Sequence, residues 1–196
     1  LIAEGAVGPL RVVRDAFSFP LEASRGAGDT RFDPALDGGA LMDVGCYCVN
    51  AIRFVAGEPE RVQAEQVVGP SGVDLVFAAT LRLPGEVLGH FDCGFVLPVR
   101  HELEVVGEEG SLFVADPFHG RSPGIELRRG GEVERIAVEP ADSYRLELEN
   151  VSGAIRGETP LLLGRDDAVG QARTIEALYR SAEASAPVLL AEWSSA

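Results

Sequence analysis

The sequence predicts an α+β domain: an open, largely antiparallel sheet of six to seven strands with helices on one face. Three observations carry that prediction. Between positions 61 and 138, period-two patterns and short apolar runs follow one another, separated by turn signals. Two helical stretches close the chain, at 143–155 and 166–183. Strands thus precede helices, with few of the β-α-β alternations that build a parallel sheet.

Each element follows from its local pattern. LRVVRDAFSF (10–19) mixes β-branched and aromatic residues with polar ones after a GAVG turn signal, and reads as a strand. A Gly-, Pro- and Asp-rich loop of 19 residues follows (21–39), a length that inside a compact domain marks function or mobility. From Leu41 to Ala56 the apolar spacing suits a helix, which Gly57 and Pro59 stop. Then come RVQAEQVV, VDLVFAATLRL, EVLGHFDCGFVL, HELEVVG, GSLFVA, IELRR and EVERIAV. LPGE and the tight RGGE at 129–132 are hairpin signals within this meander. VDLVFAATLRL is apolar at both parities in places, so a second apolar layer is expected over the far face of the sheet, a partner subunit's sheet in a homodimer.

Composition removes several function classes. A net charge of −14 argues against nucleic acid and anionic membrane as partners, because phosphates are bound by clustered cations. The first 20 residues lack the pattern of a secretory signal, and a soluble, cytoplasmic protein is the expectation. Cys46, Cys48 and Cys93 are too few and too clustered for a secreted disulfide framework, so they are expected to be reduced thiols. All 17 basic residues are arginine, and chemistry that needs a lysine amine is not completed within these residues. The chain begins at Leu1 and its one methionine is Met42, which reads as a piece of something longer.

The helix opening in GGALMDVGCYCVN carries the candidate chemistry. At about 100° per residue, Asp43, Tyr47, Asn50 and Phe54 fall within roughly 60° of one another, so a carboxylate, a phenol and an amide share one stripe. They can converge on one small molecule. Asp43 alone is explained by charge complementarity at a helix N-terminus, but Tyr47 and Asn50 lining up beneath it are not. Cys46 and Cys48 lie about 160° apart on the same helix and cannot share a metal or a disulfide. His90, His101 and His119 show no metal-ligand spacing and read as structural or solvated, so no metal is expected. Dispersed histidines also disfavour a metal-dependent hydrolase. No G-x-G-x-x-G or P-loop pattern occurs.

GGALMDVGCYCVNAIRFVAGEPERV resembles the hallmark of the glucose-fructose oxidoreductase and inositol dehydrogenase family: Gly-Gly, a few small or apolar residues, Asp, three residues, then His or Tyr. LIAEGAVGPLRVVRDAFSF and TRFDPALDGG upstream, and VVGEEGSLFVADPF and DSYRLELENVSGAIRG downstream, are similar to that family's C-terminal domain. The resemblance implies a single substrate-binding, catalytic and dimerisation domain over 1–196, with the N-terminal domain that binds NAD or NADP missing from this chain. It implies hydride transfer between nicotinamide and a sugar, polyol or dihydrodiol-like carbinol, with the isolated chain inactive. Asp43 matches the hallmark aspartate, and Tyr47 stands where many members have histidine, as in the dihydrodiol and xylose dehydrogenase branch. The family's catalytic lysine would lie before Leu1. Asn50 departs from the aspartate often found there, which weakens an inositol-like site.

A positioned phenol can give or take the alcohol proton while hydride moves. With an ordinary pKa of about 10 it needs a nearby cation to do so at neutral pH. Arg31 is either a charge-assisted donor to a substrate or cofactor oxygen or half of a surface ion pair. Tyr144 either faces the cleft or packs on the sheet. The alternative function is a non-catalytic ligand-binding or dimerisation module with the same fold.

Overall fold

The computed structural model describes residues 1–21, 28–120 and 124–190. Part of the long 21–39 loop and the last six positions lie outside these described residues. The strands are β1 (Leu10–Ser18), β2 (Arg61–Val68), β3 (Asp74–Leu83), β4 (Val87–Gly94), β5 (Arg100–Gly107), β6 (Ser111–Val114), β7 (Gly124–Arg129), β8 (Glu132–Ala137) and β9 (Val188–Leu189). The helices are α1 (Cys46–Ala56), α2 (Ser143–Ile155) and α3 (Arg165–Ala184).

All nine strands form one sheet in the order β8-β7-β6-β5-β1-β4-β3-β2-β9. The expected six to seven strands are therefore too few. β9 escaped the sequence because it is two residues long and exists only through its pairing with β2. Every neighbouring pair is antiparallel except β1 with β4. That parallel pair needs a crossover, which α1, β2 and β3 supply.

Burial alternates along the strands and defines two faces. Val13, Phe77, Leu81 and Phe91 point to the helix-covered face and are fully or almost fully buried. Each such side chain contributes about 1.5–3 kcal/mol of burial. Ile52 of α1 and Leu178 of α3 close this core. The far face is mixed: Val12, Leu88, Val106 and Phe113 lie on it among charged pairs. Arg14 pairs with Glu104 (3.0 Å), Arg128 with Glu126 (2.8 Å), and Arg100 with Asp92. Val76 and Ala78 are its apolar contribution from β3, and Thr80 and Arg82 its polar one.

Arg53, buried on α1, ties α1 to α3. It donates to both Glu58 oxygens (3.0 and 2.6 Å), to Gln171 Oε1 (2.8 Å) and to the Asp167 carbonyl (3.0 Å). Gln171 in turn donates to the Cys46 carbonyl (2.7 Å). A buried guanidinium is tolerated because several of its donors are occupied.

The stretch Pro34–Ala56 reaches a mean hydropathy of 1.2, apolar enough to span a membrane by composition. Here it is broken into a 3-10 turn, a π-turn and α1, and half of that window is buried inside the protein.

Candidate active site

The predicted helix over 41–56 starts differently from expectation. Leu41–Gly45 form a π-turn, with the Cys46 N–H bonded to the Leu41 carbonyl, and the α-helix begins at Cys46. The cause lies far away in sequence. Asp74, at the start of β3, accepts the Leu41 N–H (2.7 Å) on one oxygen and the Tyr179 hydroxyl of α3 (3.0 Å) on the other. Gly39, at φ +132°, lets that carboxylate in, since a Cβ there would overlap the Asp74 oxygen. Gly45 lets the turn approach β4, where a Cβ would stand 2.7 Å from Cys93 Sγ. The conspicuous glycines thus shape the turn that carries Asp43. Because Asp74 binds the free N–H at the start of this turn, Asp43 is left to point elsewhere.

Asp43 points at Arg31, whose Nη1 lies 3.9 Å from its Oδ2. Arg31 is itself held by Asp29, through Nε (3.0 Å) and Nη2 (2.7 Å). Of the two alternatives for Arg31, the ion pair is the one present, and the residue lines a small recess together with Asp43. Burial pushes the Asp43 carboxyl above its ordinary range, and Arg31 partly offsets this.

Tyr47 follows one turn later and is 43% exposed. Its ring rests on Phe17 of β1 (5.6 Å between centroids) and on Phe118 (5.7 Å), which stack on each other at 4.8 Å. Partial burial, then Tyr144, then Cys46 and Asp43, raise its pKa. Tyr144, at the first turn of α2, is 67% exposed and lies close enough to Tyr47 to contribute to the rise in its pKa. α2 buries only Gly153 and does not pack Tyr144 on the sheet. Asn50 is half-buried on α1, three residues beyond Tyr47. Cys48 and Cys93 are buried and all three cysteines are free thiols.

The reading of the histidines as scattered does not hold. His101, at the start of β5, and His119, in the loop after β6, stand 4.8 Å apart ring to ring. Both face Asp116, His119 Nδ1 at 2.7 Å and His101 Nδ1 at 3.8 Å from the same oxygen. Phe17 touches both imidazoles as well as Tyr47, so this cluster adjoins the phenol. Strand register creates it: Phe17 lies opposite His101 across β1 and β5. Only His90 stays alone, on the far sheet face opposite Arg14 and Thr80.

Fold and site together define an open-sheet α+β domain that presents a carboxylate and a phenol on its first helical turns. A model of the GFO/IDH/MocA C-terminal domain matches residues 1–113. D-xylose 1-dehydrogenase (NADP(+)) 2 of Haloferax volcanii is 36% identical over 191 residues, covering 94% of this chain and 57% of that protein. Trans-1,2-dihydrobenzene-1,2-diol dehydrogenase of Bos taurus is 33% identical over 155 residues, 78% of this chain and 44% of that one. The solved aldose-aldose oxidoreductase from Caulobacter crescentus, complexed with glycerol, matches with a TM-score of 0.85 and 26% identity over 96% of this chain and 58% of that one. The chain belongs to the GFO/IDH/MocA family. The match covers 57% and 58% of the Haloferax and Caulobacter proteins and 44% of the bovine one, so the chain corresponds to only part of each.

Proposed function

We propose that this chain is the substrate-binding and catalytic part of an NAD(P)-dependent oxidoreductase acting on a carbinol of a sugar, polyol or dihydrodiol-like compound. The observation that carries the reading is the Tyr47 hydroxyl, exposed above an aromatic floor and one turn from the Asp43–Arg31 pair. Xylose and dihydrodiol dehydrogenases among the relatives support the substrate class, and NADP in the name of one supports the cofactor.

The residues here fit the substrate side of such a reaction and not the dinucleotide. The sequence has no glycine fingerprint for a pyrophosphate. We place the dinucleotide-binding domain outside these 196 residues, covering apolar surface that α1 and α2 leave open, including Phe54 (79% exposed) and Ile155 (81%). The nicotinamide, when bound, supplies the hydride acceptor or donor. Tyr47, holding its proton at neutral pH, gives it to the nascent alkoxide in the reduction direction and takes it back in oxidation. Taking it back requires a cation beside the phenol, the role the family resemblance gives to a lysine of the other domain. Asp43 and Arg31, with Asn50 and Tyr144, bind and orient substrate hydroxyls.

The protein is proposed to work in the cytoplasm as a homodimer through the far sheet face, without nucleic acid or membrane as partners. The salt-bridged ladder on that face makes such a dimer salt-sensitive. Following NAD(P)H formation by the full-length protein with a panel of aldoses, polyols and dihydrodiols tests the proposal. Saturable turnover with one class is expected. Ligand binding without turnover across all classes would indicate the non-catalytic module instead.

A further inference from the structure

We propose that His101, Asp116 and His119 form a binding site for one divalent transition-metal ion beside the aromatic floor of the cleft. Their ligand atoms all lie within 4.8 Å of one another. A tetrahedral zinc ion with bonds of about 2.0–2.2 Å separates its ligand atoms by roughly 3.3–3.5 Å. The two Nδ1-to-carboxylate distances, 2.7 and 3.8 Å, straddle that value. An ion therefore enters between the carboxylate and the two rings once ligand separations of up to 4.8 Å close by roughly 1 to 1.5 Å.

The donor set is two imidazoles and one carboxylate, which suits zinc, iron or nickel and not magnesium or calcium. Three protein ligands leave a fourth position for water or a ligand oxygen. The rings are already oriented. Phe17 packs edge-on against His101 (4.6 Å, 77°) and against His119 (5.9 Å, 74°), while the Asp116 carboxylate accepts from His119 Nδ1–H. All three residues are half-buried, shielded without being closed to entry. The acidic chain, at −14, attracts cations toward it.

The consequence is mechanical. His101 belongs to β5, whereas Asp116 and His119 bracket Phe118 in the loop after β6. A bound ion staples that loop to the sheet and fixes Phe118 against the Tyr47 ring. This inference rests on the cluster alone and stands or falls separately from the oxidoreductase reading.

The test is zinc binding to the full-length protein under reducing conditions, followed by calorimetry and by metal content after dialysis. One equivalent is expected. His101→Ala and His119→Ala should each weaken binding about a hundredfold or more, while Cys46→Ser leaves it unchanged. If either alanine variant does not fold, cobalt(II) added to the unaltered protein decides. Visible ligand-field bands without a thiolate charge-transfer band support the site. No saturable binding, binding indifferent to both histidines, or a thiolate band overturns it.

Discussion

Asp74 Oδ2 accepts the backbone N–H of Leu41 across 33 residues of sequence, at 2.7 Å. Its other oxygen holds Tyr179, so one carboxylate joins the site helix, β3 and α3. Asp74→Ala is expected to lower stability by about 2–3 kcal/mol, since it leaves a buried N–H and a tyrosine hydroxyl without their acceptor. Tyr179→Phe, which removes one of the two bonds, should cost about 1 kcal/mol. Urea denaturation of both variants checks the ranking.

Arg31 opposes the effect of burial on Asp43. Removing the guanidinium with Arg31→Ala therefore raises the Asp43 pKa further. If an ionised Asp43 binds substrate, the acid limb of the kcat/KM profile moves to higher pH while the alkaline limb stays. An acid limb that moves down or not at all would remove Arg31 from the site.

Asp15, on the helix side of β1, is 4% exposed, and neither of its oxygens has a well-formed hydrogen bond. Burial, only partly offset by the Cys48 thiol, pushes its pKa from 3.8 up to about 7. The folded state thus binds this proton more tightly than the unfolded chain does. Stability is lost as pH rises between those two values, by up to ~4 kcal/mol. Asp15→Asn should melt roughly 5–10 °C above the unaltered protein at pH 8, with the gain vanishing toward pH 4. A gain that is the same at both pH values would contradict the assignment.

Much of the fold and part of the site could be read in the sequence, for identifiable reasons. The α2 span was legible over its observed length because its periodicity is local. Tyr47 and Asn50 share α1, where helical spacing is fixed, whereas Asp43 lies in the π-turn before it and outside that spacing. The π-turn was not legible, because Asp74 imposes it from β3. Nor was the His101, Asp116 and His119 cluster, which depends on how β5 and β6 register with β1 and on where a loop folds back. The charged part of the far face was written in Glu102 and Glu104 of HELEVVG, but the apolar run of β3 outweighed it in the reading.

The most direct measurement is steady-state kinetics of Tyr47→Phe in the full-length protein, a change that preserves the tilted ring contacts with Phe17 and Phe118. Loss of the phenolic proton should lower kcat by about 10²–10⁴-fold with KM within a few-fold of the original. Turnover retained within a few-fold would contradict the role of Tyr47 as the proton-transfer group.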